Sequence, residues 1–195
     1  MINKESFIIQ EGQCPVMLSA PHAVEHTRNG QLRYPEPQTA YLSRKLHESL
    51  DCPYICKTEN QEDDANYDRH SPYKETLVEY IRAHDIKLLI DLHQMAGFRP
   101  EQICLGTGRY VNVNDGELVE YCKQAFEAQG ITNVTVDRPF AASYPYTVSS
   151  YIHNKCGVPA LQIEINSNLL MRDSGDCVTE AVLKALEEII IYSTR

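Results

Sequence analysis

A chain of 195 residues is long enough to bury a core of its own and is most simply one domain over 1–195. Its net charge of −9 argues against nucleic acid or an anionic membrane surface as a partner, since both demand a basic face, and no run approaches the roughly 20 apolar residues of a membrane span. Seven cysteines without framework spacing, and a start lacking the basic and apolar regions of a signal peptide, predict a cytoplasmic protein.

Ser6 to Gln10 reads as a short strand, and Val16-Met17-Leu18 as a second that feeds Ser19-Ala-Pro-His-Ala-Val-Glu-His26. A Pro-containing turn there sets His22 and Glu25 at the carboxyl end of a strand, where α/β folds hold ligands. His-x-x-Glu on one turn can offer an imidazole nitrogen and a carboxylate to one ion, which makes half a metal site, although the spacing alone is common. Asn29-Gly30 ends this stretch, and Pro35 and Pro37 mark a loop running up to a helix over 39–50. Leu42, Leu46 and Leu50 form its apolar face, and His47 is expected to be a solvated surface residue.

Tyr54 to Thr58 is the next strand, and the polar run 59–64 is an exposed loop. Ser71, Pro72 and Glu75 predict a helix start, continued by Leu77, Tyr80, Ile81 and His84. Asn66 and Arg69 are thereby held at a helix mouth, a usual place for substrate groups. Arg69 has two readings: a clamp for a carboxylate or oxyanion, or a surface partner of Asp68 or Asp64.

Lys87 to His93 is apolar apart from Asp91, suiting a central strand, and Asp91 shares a face with His93, where it would orient the imidazole or anchor structure. Gln102 to Leu105 is another strand, followed by a tight loop at Gly106-Thr-Gly-Arg109. A helix over 116–129 starts at Asn114-Asp115, and 134–136 is a strand. The loop 137–146 is long and aromatic, which usually means function; Tyr144 and Tyr146, with Thr147 at the following helix start, are candidate substrate contacts. A helix over 147–156 leads to the strand 159–166, and the helix 177–192 closes the chain with Val178, Val182, Ala185, Leu186 and Ile189 on its buried stripe. Glu164 is a carboxylate inside an apolar alternation. Burying it costs several kcal/mol without a partner, for which a metal-bound water is the natural candidate. Strands alternating with helices, without repeats or linker, predict a three-layer α/β/α sandwich with a mostly parallel central sheet. Histidines 70, 84 and 153 read as structural.

Four segments, Ser-Ala-Pro-His-x-x-Glu, Ile-Asp-Leu-His, Asp-Arg-Pro-Phe and Ala-Leu-Gln-Ile-Glu-Ile-Asn, appear in this order between residues 19 and 166. In these segments the chain resembles the N-formylglutamate amidohydrolase family, within the zinc carboxypeptidase-like fold. The resemblance implies one zinc ion held by His22, Glu25 and His93, with Glu164 as general base in the attack of zinc-bound water. It further implies hydrolysis of the N-formyl or N-acyl amide of an acidic amino-acid derivative such as N-formylglutamate, a small-molecule partner. Such chemistry needs a cation for the oxyanion and the substrate carboxylate, and Arg138 and Arg69 compete for these roles.

Three alternatives stand beside it. One is a zinc metallocarboxypeptidase or γ-glutamyl peptide hydrolase. Another takes His22-Ala-Val-Glu-His26 as a His-x-x-Glu-His zinc helix, for which Pro21 and Asn29-Gly30 leave little more than one turn. The third is a module that binds a metal or ligand without turnover.

Overall fold

Continuous apolar runs build the centre of the sheet. The computed structural model describes residues 2–4, 6–170 and 177–195. In it β3 (Val16–Ala20), β7 (Leu88–Met95) and β10 (Ala160–Asn166) lie side by side and parallel, and nearly every residue of the three is buried. Strands covered on both faces require this unbroken hydrophobicity. Outward from them run β6 (Tyr54–Lys57), β2 (Phe7–Gln10) and β1 (Ile2–Lys4) on one side, and β8 (Ile103–Gly106) and β9 (Val134–Val136) on the other. The eight-stranded order is β1-β2-β6-β3-β7-β10-β8-β9. The pairs β1/β2, β2/β6 and β10/β8 are antiparallel and the remaining four parallel, as a mostly parallel mixed sheet requires.

Helices cover both faces. α1 (Pro37–Leu50), α3 (Gly116–Ala128) and α5 (Cys177–Ser193) pack over Leu18, Ile90 and Ile163, while α2 (Pro72–Ala83) and α4 (Val148–Cys156) pack over Met17, Leu89 and Ala160. The pleat alternates these two sets, so Ser19, Asp91, His93, Gln162 and Glu164 all belong to the α2/α4 face. Along β7 and β10 that face starts apolar, with Leu89 and Ala160, and turns polar towards the carboxyl ends of the strands.

The expected elements appear, with shifted ends. α1 begins at Pro37, two residues earlier than the leucine stripe predicts, and β7 continues beyond His93 to Met95. Asp115 caps α3 through Glu117 N (2.9 Å) and Leu118 N (3.0 Å), whereas Ser71 precedes α2 without a side-chain cap bond. The stretch 26–33 forms a hairpin, β4 (His26–Arg28) with β5 (Gln31–Arg33), outside the main sheet. Asn29 and Gly30 adopt φ of 52° and 72°, the paired left-handed turn that Asn-Gly favours. His47 is half-buried rather than solvated: its Nδ1 meets Cys52 O at 3.0 Å. His84 and His153 likewise bond the carbonyls of Tyr80 and Val158. Val178 lies outside the described side chains. No helix among the described residues is long and apolar enough to cross a membrane.

Candidate metal centre and active site

The turn after β3 carries His22, which is 3% exposed. The chain then makes the β4–β5 hairpin and returns, and Glu36 N donates to His22 O at 2.7 Å. Glu36 sits between Pro35 and Pro37, immediately before the first turn of α1, where the helix dipole favours a carboxylate. Its Oε1 lies 3.1 Å from His22 Nδ1 and its Oε2 3.3 Å from His93 Nδ1. Gln94 N also donates to Oε2, at 2.9 Å, which fixes the carboxylate between the two rings.

Each ring is backed on its other nitrogen. His22 Nε2 lies 2.8 Å from Asp64 Oδ1, and His93 Nε2 3.2 Å from Asp91 Oδ2. A carboxylate behind an imidazole fixes the tautomer that leaves the opposite nitrogen free for a metal. Burial disfavours charge on Glu36, yet the flanking imidazoles hold its carboxyl well below the usual range, and Asp64 is held down in the same way by His22 and Arg28. The pocket is built for positive charge.

The donor set fits zinc. One imidazole nitrogen from each histidine and one carboxylate oxygen of Glu36 all lie within 4.8 Å of one another, and nitrogen and carboxylate oxygen are the ligand types zinc takes. A second group, His22, His26 and Asp64, also lies close together. It fits poorly, because the rings of His22 and His26 stack in parallel, 3.7 Å apart at 4°, so their in-plane lone pairs do not converge. Asp64 moreover accepts from Arg28 Nε at 2.7 Å.

The geometry corrects the expectation for Glu25. It is exposed and outside the cluster, because residues 21–24 form turn and bend rather than a helical turn, so positions 22 and 25 do not share a side. The same irregular backbone removes the His-x-x-Glu-His alternative, which needs a helix.

Glu164 of β10 pairs in register with His93 of β7 and lines the same cavity, about 680 Å³ in volume. It is 8% exposed, and burial pushes its carboxyl up to about 7. Gln162 Nε2 donates to Glu164 Oε1 at 3.1 Å.

The cavity walls come from loops. Asn66, Tyr144 and Thr147 line it, but Asn66 Oδ1 accepts from Val148 N at 2.7 Å and Thr147 Oγ1 from Ser150 N at 3.2 Å, so both hold the start of α4. Tyr146 does not line the cavity; it packs edge-on against Tyr144, centroids 5.3 Å apart. Arg69 and Arg138 are both exposed and absent from the lining. At Arg69 the turn before α2 faces solvent. At Arg138 the chain is anchored by its neighbour Asp137, which accepts from Thr107 N and Oγ1 at 2.8 and 2.7 Å, and Arg138 itself is exposed. The arginines that do line the cavity are Arg28 and Arg33 of the hairpin and Arg99 of the loop after β7. Arg99 stacks over Phe140 at 4.7 Å and, among the described residues, pairs with no carboxylate. Glu36, Asp64 and these arginines escape a motif search because they come from loops distant in sequence. The one local signal is a lone carboxylate between two prolines at a helix start.

Known proteins share this fold. An N-formylglutamate amidohydrolase family model matches residues 54–171. Among solved structures, a gene product from Agrobacterium tumefaciens superposes with a TM-score of 0.68 at 14% identity, covering 97% of this chain and 95% of that one. A bacteriophage poly-gamma-glutamate hydrolase gives 0.61 at 14% identity, covering 99% and 90%. The N-formylglutamate amidohydrolase from Ralstonia eutropha gives 0.60 at 14%, covering 95% and 96%. No curated protein matches the chain. These likenesses carry the fold, and the family match spans well over half of the residues: the chain belongs to the N-formylglutamate amidohydrolase family, hydrolases of amide bonds.

Proposed function

We propose that this chain hydrolyses the N-formyl or N-acyl amide of an acidic amino-acid derivative, with one zinc ion held by His22, Glu36 and His93 and Glu164 as general base. The observation carrying the reading is the pairing of two imidazole Nδ1 atoms with one carboxylate, each ring backed by an aspartate, next to a fourth carboxylate in the same cavity. Zinc there supplies Lewis acidity and brings the pKa of a water towards ~7.

Glu164 takes a proton from the attacking water and returns it to the leaving nitrogen, and a carboxyl raised to about 7 suits both halves of that transfer at neutral pH. The overall change adds water across the C–N bond and releases a carboxylate and an amine. Although the chain carries a net charge of −9, Arg28, Arg33 and Arg99 line the cavity. Arg28 is engaged by Asp64, so Arg99 and Arg33 are the guanidinium groups available to a substrate carboxylate. A purely structural metal site usually takes four protein ligands; three facing an open cavity favour turnover over a silent binding module.

The test combines metal content of the purified protein with a screen of N-formyl, N-acyl and γ-glutamyl compounds. Glu164→Gln should keep its metal and lose about a thousandfold in kcat. Equal turnover by both proteins, or a metal-free active protein, overturns the reading.

A further inference from the structure

Gln162 stands two residues before Glu164 on the same face of β10 and lines the cavity at 3% exposure. Its amide is half used. Nε2 donates to Glu164 Oε1 at 3.1 Å, while Oε1 is buried and, among the described residues, has no hydrogen-bond partner. A buried, unpaired carbonyl costs about 1–3 kcal/mol, which selection removes unless something uses the group.

The side chain is also confined. Gly106 of β8 faces it, and a Cβ there would stand 3.1 Å from Gln162 Cβ, 3.0 Å from Phe140 O and 3.1 Å from Ala142 Cβ. Glycine is therefore what lets β8 and the 137–147 loop close on Gln162. With Nε2 committed to the base, Oε1 is the atom of the amide left to a further partner. Among the described residues of the cavity wall the other buried, unpaired side-chain atoms are His26 Nδ1 and Gln94 Oε1; His26 stacks on His22, Gln94 is half-buried at a strand end, and neither bonds Glu164.

Resting on the hydrolase reading above, we infer that Gln162 is a positioning residue for the scissile amide: Oε1 accepts the substrate N–H while Nε2 holds Glu164. The geometry gives one side chain both partners of the proton transfer. An N–H pinned to Oε1 sets the rotation about the breaking C–N bond, so the lone pair that develops on nitrogen points to the carboxyl that will protonate it. As the bond breaks, the electron pair goes to nitrogen and the proton passes from Glu164 to the same atom.

The inference separates two substrates that differ only at the reacting nitrogen. The N-acyl-glutamate amide has the N–H; the matched O-acyl ester of 2-hydroxyglutarate lacks it. Gln162→Met, close in shape but without donor or acceptor, should lower kcat/KM for the ester about tenfold, through the loosened base, and for the amide about a hundredfold. The amide-to-ester ratio should thus fall about tenfold, mostly in kcat. Gln162→Leu should repeat the ratio, with melting temperature and metal content confirming that each variant is folded. Equal losses on both substrates would overturn the inference while leaving the hydrolase reading intact. A wild-type protein inert to both substrates would overturn that reading and the inference with it. Independently of the variants, the wild-type complex with an unreactive amide analogue should show its N–H within about 3.2 Å of Gln162 Oε1; an amide held there by another acceptor rejects the assignment.

Discussion

At the floor of the cavity His22 and His93 are almost sealed from water and every ring nitrogen faces a carboxylate, whereas at the rim Tyr34 stands 93% exposed. Two of the rim arginines are held loosely by comparison: Arg33 donates to Gln31 Oε1 at 3.2 Å, and Arg99 rests on an aromatic face. The difference follows from burial: a strand residue such as His93 and a loop residue such as Glu36 are fixed alike where neighbours bond them, while exposed hairpin and loop residues keep several orientations. Chemistry common to a class of reactions belongs on the fixed residues, and the choice of substrate on the exposed ones.

The comparison breaks most sharply at the two glutamates of the entry turn. Glu36→Ala should weaken zinc binding more than about a hundredfold, beyond the tenfold to hundredfold usual for outer partners, and abolish turnover. Glu25→Ala should bind zinc as the wild type does. Competition with a chromophoric chelator measures both, and the reverse order would return the ligand role to Glu25.

That pair also shows what could be read without coordinates. His22, His93 and Glu164 were visible because each ends or interrupts an apolar run, and a polar residue in such a run must meet something that repays its burial. Asp91 was visible through the period of two. Glu36 was not, because its approach depends on a hairpin: Asn29 and Gly30 turn the chain, and the backbone bond from Glu36 to His22 closes the loop. Asp64 was hidden similarly, in a polar run read as an exposed loop, although its side chain is fully buried. Arg138 leads an aromatic loop, but the backbone there is held by Asp137 and the arginine is exposed, outside the cavity lining. Strand pattern carries to the sheet and its ends; loop closure over long separations does not show in local pattern.

Within the floor, the aspartates behind the rings come next. Asp64→Asn and Asp91→Asn keep shape but lose charge, and each should reduce zinc affinity by about tenfold to a hundredfold. Asp64→Asn should have the larger effect, because Asp64 also holds Arg28 Nε and Asn66 N, at 2.7 and 2.9 Å. Chelator competition ranks the two.

At the rim, Arg99→Met should raise KM for acidic substrates about tenfold and leave neutral analogues nearly unchanged, the signature of one charge-assisted contact. Arg138→Met should change neither. Initial rates on an acidic and a neutral N-formyl amino acid decide it. Equal effects of the two substitutions would mean that the rim acts through bulk charge rather than through a placed guanidinium.

Lys74 of α2 joins the two regions, and its effect is read in stability rather than in binding or turnover. Its ammonium is fully buried and donates to Asp68 O and Tyr146 O, both at 2.6 Å, so it ties the loop that carries Asp64 to the loop that carries Tyr144. Burial pulls its pKa down from about 10.5 to about 8, even though nearby aspartates oppose the shift. A folded-state pKa below the unfolded one means that between about pH 8 and 10.5 the unfolded chain binds more protons at this site, so stability from Lys74 rises with pH across that window and is flat below it. Lys74→Met removes the titration together with both hydrogen bonds. The variant should be less stable at pH 7 by about 2–4 kcal/mol, for two buried carbonyls left unpaired, and the gap to wild type should widen from pH 8 to 10. Urea unfolding of both proteins across that range measures the gap. A gap that narrows instead would mean that the ammonium is stabilised in the fold, and that the tie between floor and rim is an ion pair with the aspartates rather than a pair of hydrogen bonds to the backbone.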